Sequence, residues 1–180
     1  MAFTLIVNPG SSSKKFALYK DCALLMNAYV ERSEDGFEMC TAVSGTQQLC
    51  ETLDKRGFND SLNNFLERAQ KENHLKDFFE VTTVAIRVVA PKTFFQSHRL
   101  IDDAYVDLLK KSAENAPLHI PHILQEIQSI KKFLPEAKLI AASDSAFHST
   151  IPVIARRYSI PVEESKKHDI YHFGYHGLSV

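Results

Sequence analysis

The sequence has no tryptophan, three cysteines and six glycines in 180 residues. Cys22, Cys40 and Cys50 are odd in number and lack a CxxC spacing, which argues against a disulfide framework and against a cysteine zinc site. They are expected to be reduced and mostly buried. No apolar run approaches the length that crosses a bilayer, and the N-terminus lacks the charged-then-apolar pattern of a secretory leader. A membrane partner is therefore not expected, and the cytoplasm is the default compartment. An excess of charge of one sign is missing too: 21 basic and 22 acidic residues leave a formal net charge of −1. That balance gives no electrostatic footprint for nucleic acid. Internal repeats, low-complexity segments, HExxH spacing and a nucleophile-elbow context are also absent.

What is present is ample core material, with 44% hydrophobic residues in a length that suits one large domain, or one domain and a piece of another. Short strand-like runs come first, at Thr4 to Val7, Phe16 to Tyr19, Leu24 to Glu31 and Phe37 to Val43. The period then changes. Leu62, Phe65, Leu66 and Ala69 recur at helical spacing after Asn59-Asp60-Ser61, predicting a helix over Asp60 to Asn73. Val81 to Val89 is rich in β-branched residues and predicts a buried central strand. Asp103 to Ser112 predicts a second helix, and a third carries Ile123, Ile127 and Ile130 on one face before Pro135 stops it. Leu139 to Ala142 predicts another strand, followed by a short helical or irregular connection bounded by prolines. Consecutive strands followed by helix, strand, helix, helix, strand is α/β logic, with functional groups expected at strand ends.

The opening stretch TLIVNPGSSSKKF poses the first chemical question. Pro9-Gly10 is turn punctuation, and Gly10 permits backbone angles closed to other residues, so main-chain N–H groups there can turn toward an anion beside the hydroxyls of Ser11, Ser12 and Ser13. Lys14 and Lys15 supply charge. The Walker spacing fails, however, and a polar hairpin tip accounts for the residues equally well. Other candidates are as open. Arg87 interrupts an apolar strand and needs an anion or an internal salt bridge. Asp144 follows a strand end, where it either faces a cleft or caps the next segment. His119 lies between Leu118 and Ile120, and His176 between Tyr175 and Gly177; each is a possible donor to a phosphoryl oxygen or an ordinary polar residue.

Four segments in order turn these options into a pattern. TLIVNPGSSSKKF resembles N-x-G-S-S-S-x-K-F, NAPLHIPHIL resembles A-P-L-H-N-P, SDSAFHSTIP resembles F-D-T-A-F-H-x-T-M-P, and HFGYHGLS resembles Y-G-F-H-G-T-S. These are motifs of the acetate kinase family, which includes the acetate, propionate and butyrate kinases. The resemblance implies an ASKHA-type (actin-like, ribonuclease H-like) α/β fold, a mixed sheet flanked by helices. It assigns residues 1–150 to an N-terminal domain of that type and 151–180 to the start of a second, truncated domain. It implies phosphoryl transfer from ATP to acetate or a similar short-chain carboxylate, giving an acyl phosphate and ADP with Mg²⁺ as metal, and a homodimer for the full-length protein. The expected roles follow by position. Asn8 lies near phosphates and metal, with Ser12 and Lys15 as the motif's other polar members; Arg87 binds the substrate carboxylate; Val89, Leu118 and Tyr175 wall a small acyl pocket. Asp144 orients substrate or metal, and His119 and His176 stabilise the transferring phosphoryl group.

Three departures qualify those expectations. The family segment H-R-V-V-H-G-G reads IRVVAPK here, so both histidines and both glycines are replaced, and Pro91 and Lys92 are expected to remodel the loop. Tyr175 stands where the family usually has Phe, and Ile120 where it has Asn. The isolated chain, without the second domain, is expected to be inactive as a kinase. The alternative is a non-catalytic domain that keeps the fold and binds a partner or small anion.

Overall fold

The computed structural model describes residues 2–34, 36–44, 47–176 and 178. The first five strands form a continuous antiparallel meander: β1 (Phe3–Pro9), β2 (Ser13–Lys20), β3 (Ala23–Ser33), β4 (Gly36–Val43) and β5 (Leu49–Leu53). Alternation of buried and exposed residues along β2 fixes the register, because a slip by one residue would turn Phe16 and Leu18 out to water. Two helices follow, α1 (Lys55–Asn59) and α2 (Ser61–Lys71). Asp54 caps α1 by accepting from the Gly57 N–H at 2.7 Å.

The chain then re-enters the sheet as β6 (Val81–Val88), parallel to β1. The two-residue β7 (Arg99–Leu100) and helices α3 (Asp103–Lys111) and α4 (Ile120–Phe133) lead to β8 (Lys138–Ser143), which runs parallel to β6. Short helices α5 (Val153–Arg156) and α6 (Val162–His168) close the described chain. Strand order across the eight-stranded sheet is β5-β4-β3-β2-β1-β6-β8-β7. Parallel neighbours β1, β6 and β8 therefore sit side by side and end at the same edge, which is where open α/β sheets place their ligands.

The core is continuous. Leu5, Val7, Phe16 and Leu18 from the sheet, Phe65 and Leu66 from α2, and Ile123, Ile127 and Ile130 from α4 are all buried together. The predicted helical face of α4 is thus the one that packs. Among the described residues, no helix is long and apolar enough to cross a membrane.

Several expectations need correction. Cys40 and Cys50 are directly opposed in the β4–β5 register and are joined by a disulfide, and Cys22 is exposed, so the cysteines are not three buried thiols. The sequence hides this pairing because β5 has too little alternation to read as a strand: Leu49 to Glu51 are all exposed on an edge. Strand β7 and helices α1 and α6 are similarly too short for a periodic signal.

Candidate active site at the strand ends

The hairpin between β1 and β2 is real, with Asn8 paired to Lys15 and Pro9 to Lys14. Its tip is Gly10-Ser11-Ser12. Gly10 is not among the positive-φ residues, so its unusual-angle role is not used. Its need is steric: a Cβ there would come 2.7 Å from the Ser13 carbonyl oxygen. Only glycine allows a turn this tight, and the turn leaves Ser11 and Ser12 exposed.

At the end of β6, Arg87 projects into the space between the ends of β1 and β8. Its Nε donates to Asp144 Oδ1 at 2.9 Å, Nη2 to Asp144 Oδ2 at 2.5 Å, and Nη1 to Asn8 Oδ1 at 3.3 Å. Asp144 is fully buried, and the two-toothed guanidinium contact compensates the desolvation of its charge. The internal salt bridge expected for Arg87 is present, and the guanidinium also lines a cleft. Asp144 does not cap by side chain.

A cleft of about 380 Å³ is lined by Asn8, Ser12, Lys15, Arg87, Val89, His119, Asp144, Tyr175 and His176, among others. Nine of the ten predicted site residues therefore converge, from segments up to 168 residues apart in the chain (Asn8 to His176). Leu118 is the tenth. It lines an adjoining apolar cavity of about 250 Å³ with Val89, Pro117 and Tyr175, and is itself 74% exposed. His119 is exposed at the N-terminus of α4, with Pro121 early in the first turn. His176 follows Tyr175 and has φ +70°. Burial raises the Tyr175 phenol above its ordinary value, with the nearby Tyr158 adding to the shift.

Chemically, the cleft brings together a guanidinium, an ammonium, exposed hydroxyls and two imidazoles around one buried carboxylate. Such a set suits an anion with several oxygens. Asn8 Oδ1 and the Asp144 carboxylate are hard oxygen donors at the cleft floor. Each Asp144 oxygen already accepts from Arg87 yet keeps spare acceptor capacity, so the donor set fits a Mg²⁺ bound mainly by phosphates and water.

A second layer supports the cleft, and sequence reasoning missed it. Ser143 Oγ and Ser145 Oγ both donate to the Phe95 carbonyl, and the Ser143 N–H donates to His98 Nδ1 at 3.1 Å. These bonds pin the β8 end, and hence Asp144, to the turn over residues 93–98. Gln96 in the same turn accepts from Arg156 Nη1 at 2.6 Å. Lys92, at a position where the family motif has a glycine, stands at φ +89° and ψ +146°, a backbone conformation that favours glycine.

Comparison with known proteins decides the family. A model of the acetokinase family matches residues 3–180. The chain belongs to the acetokinase family. The acetate kinase of Limosilactobacillus fermentum is 32% identical over 99% of this chain and 46% of its own length. That of Thermoanaerobacterium thermosaccharolyticum is 31% identical over 97% of the chain and 45% of its length. Among solved structures, a propionate kinase from Francisella tularensis superposes with TM-score 0.86 at 27% identity, covering 99% of this chain and 46% of that one. The Porphyromonas gingivalis acetate kinase also gives 0.86, at 24% identity, and speaks to the fold alone. The fold is the ASKHA type, as the motifs implied. The chain spans about half the length of the curated relatives it matches, corresponding to the N-terminal half of the family's proteins.

Proposed function

We propose that this acetokinase-family chain forms the carboxylate-binding and phosphate-facing half of a kinase that moves the ATP γ-phosphoryl group to acetate or a similar short-chain acid, yielding an acyl phosphate and ADP. The observation that carries this reading is the Arg87–Asp144–Asn8 constellation at the floor of a cleft walled by the serine-rich hairpin and two histidines. Arg87 holds the substrate carboxylate, Asp144 fixes the guanidinium, and Val89, Leu118 and Tyr175 accommodate the alkyl group. Ser12, Lys15 and Asn8 face the phosphates, while His119 and His176 donate to the phosphoryl oxygens as charge shifts during transfer. When bound, Mg²⁺ supplies charge neutralisation on the phosphates, with Asn8 and Asp144 the residues that would hold it or its water. The remaining half of the nucleotide site, a second domain, dimerisation and a cytoplasmic setting belong to the same reading; so does inactivity of the isolated chain.

The test is Arg87→Ala beside Arg87→Lys in the complete gene product, with stability measured in parallel. Acid-dependent ATP turnover should vanish in Arg87→Ala and stay low in Arg87→Lys, because one ammonium cannot reproduce the two-toothed contact. Wild-type turnover in Arg87→Ala would remove the arginine from this role. Wild-type protein that binds ATP or acetate yet turns over neither would instead favour a non-catalytic binding domain.

A further inference from the structure

Two non-glycine residues with positive φ face each other far from any turn of β-hairpin type. Lys92 follows β6, and Asp169, at φ +51° and ψ +53°, ends α6. Each reaches across to the other's segment. Lys92 Nζ donates to the His168 carbonyl at 2.6 Å; Asp169 Oδ2 accepts from the Thr93 N–H at 2.8 Å and Oδ1 from the Thr93 hydroxyl at 2.6 Å. The Lys92 conformation is one that non-glycine residues rarely hold, whereas that of Asp169 is the left-handed cap of α6, closed by the helix's own bonds to the Lys166 and Ser165 carbonyls.

The geometry points to Lys92 and Asp169 as positioning residues, a latch that sets the Tyr171–His176 strip over the cleft. On one side, the latch seizes the turn that also holds Phe95 and His98, and through them the Asp144 end of β8; Gln96 of the same turn accepts from Arg156. On the other side, the strip leaves the latch directly. Ile170 is fixed by bonds to Ser165 in both directions, Phe173 is buried, and Gly174 packs so closely on His148 that a Cβ would sit 2.7 Å from its ring. Tyr175 and His176, next in the chain, line the cleft. The latch acts on the acyl and histidine side and does not touch the serine hairpin.

This inference rests on the proposed carboxylate kinase reading for its kinetic arm, but not for its structural arm. The experiment is Asp169→Gly in the complete gene product, with Asp169→Asn as the conservative partner. Glycine keeps the left-handed backbone and removes both acceptors, so the fold is retained. Hydrogen exchange in 171–176, read at the His172 amide that donates to the Arg156 carbonyl at 2.8 Å, should quicken about tenfold, the equivalent of one net charge-assisted hydrogen bond, while exchange in the 8–15 hairpin stays unchanged. The KM for the carboxylate should rise about tenfold with the KM for ATP unaltered, and Asp169→Asn, which keeps one acceptor, should recover most of both effects. A side chain that merely caps α6 would leave exchange at 171–176 and the carboxylate KM at wild-type values, and that result overturns the latch. Absence of turnover in the wild-type protein counts against the kinase reading alone; the exchange result then decides the latch by itself.

Discussion

Lys14 and Glu126 make a buried ion pair whose removal gives the sharpest energetic prediction. Lys14 lies on β2 directly beneath the hairpin tip and Glu126 on α4, 2.9 Å apart, with side-chain exposures of 6% and 1%. The ammonium meets the Glu126 carboxyl at salt-bridge distance, and coulombic attraction is the larger part of their interaction. Burial pushes the Glu126 carboxyl above its ordinary range, and Lys14 opposes the shift only in part. Lys14 is further held by the Asn59 carbonyl at 3.4 Å and by the Phe58 ring, 4.9 Å from its centroid.

Replacing one partner strands the other charge. Glu126→Leu should cost about 3 kcal/mol, the low end of the usual range because Asn59 and Phe58 still hold the ammonium. Lys14→Met should cost a similar amount at neutral pH. Its cost should shrink on acidification: the folded-state carboxyl pKa is raised, so stability is greatest below the ordinary glutamate value of about 4 and falls as pH climbs above it. The double variant Lys14→Met/Glu126→Leu should be neutral or more stable by about 1–4 kcal/mol. Urea denaturation followed by circular dichroism reads all three, and about 3 kcal/mol corresponds to a melting shift of roughly 6–12 °C for a chain of this size. Single variants that each cost under about 1 kcal/mol, or a double variant as unstable as the sum of the singles, would refute the buried-pair reasoning.

Other predictions rest on separate features. Cys50→Ser should lower stability by about 2–3 kcal/mol, the amount expected from opening a loop of this length, and dithiothreitol should lower the wild-type melting temperature but not the variant's. Gly174→Ala combines a positive φ with a clash against His148, so it should lower the melting temperature and weaken carboxylate binding together; an unchanged melting curve would contradict the close packing. Asp144→Asn, which leaves Arg87 without a charged partner, should destabilise the fold by about 3 kcal/mol as well as abolish turnover, and wild-type stability would show that the pair is not desolvated.

Much of the central sheet was legible because its residues obey one period each. The β-branched run of β6, the helical stripe of α4 and the strand pair around NPGSSSKKF carry their own signals, and the structure builds each where the pattern puts it. The short edge pieces carry none. Strand β5 is exposed along most of its length, and β7 has two residues, so neither offers an alternation to read. The site divides along the same line. Asn8, Arg87 and Asp144 sit at strand ends and were recognisable by motif, but their mutual hydrogen bonds depend on the parallel order β1-β6-β8, which no local pattern encodes. Lys92 and Asp169 were illegible as partners for a further reason. They lie 77 residues apart, and what joins them is a set of side-chain hydrogen bonds to each other's segments that no local pattern encodes.

The most direct measurement is acyl phosphate formation by the complete gene product supplied with ATP, Mg²⁺ and a series of two- to four-carbon acids, with hydroxylamine trapping the product. The account predicts a hydroxamate that requires both ATP and the acid and is lost in Arg87→Ala. Wild-type protein that is folded and binds ATP but forms no hydroxamate from any acid in the series would contradict it.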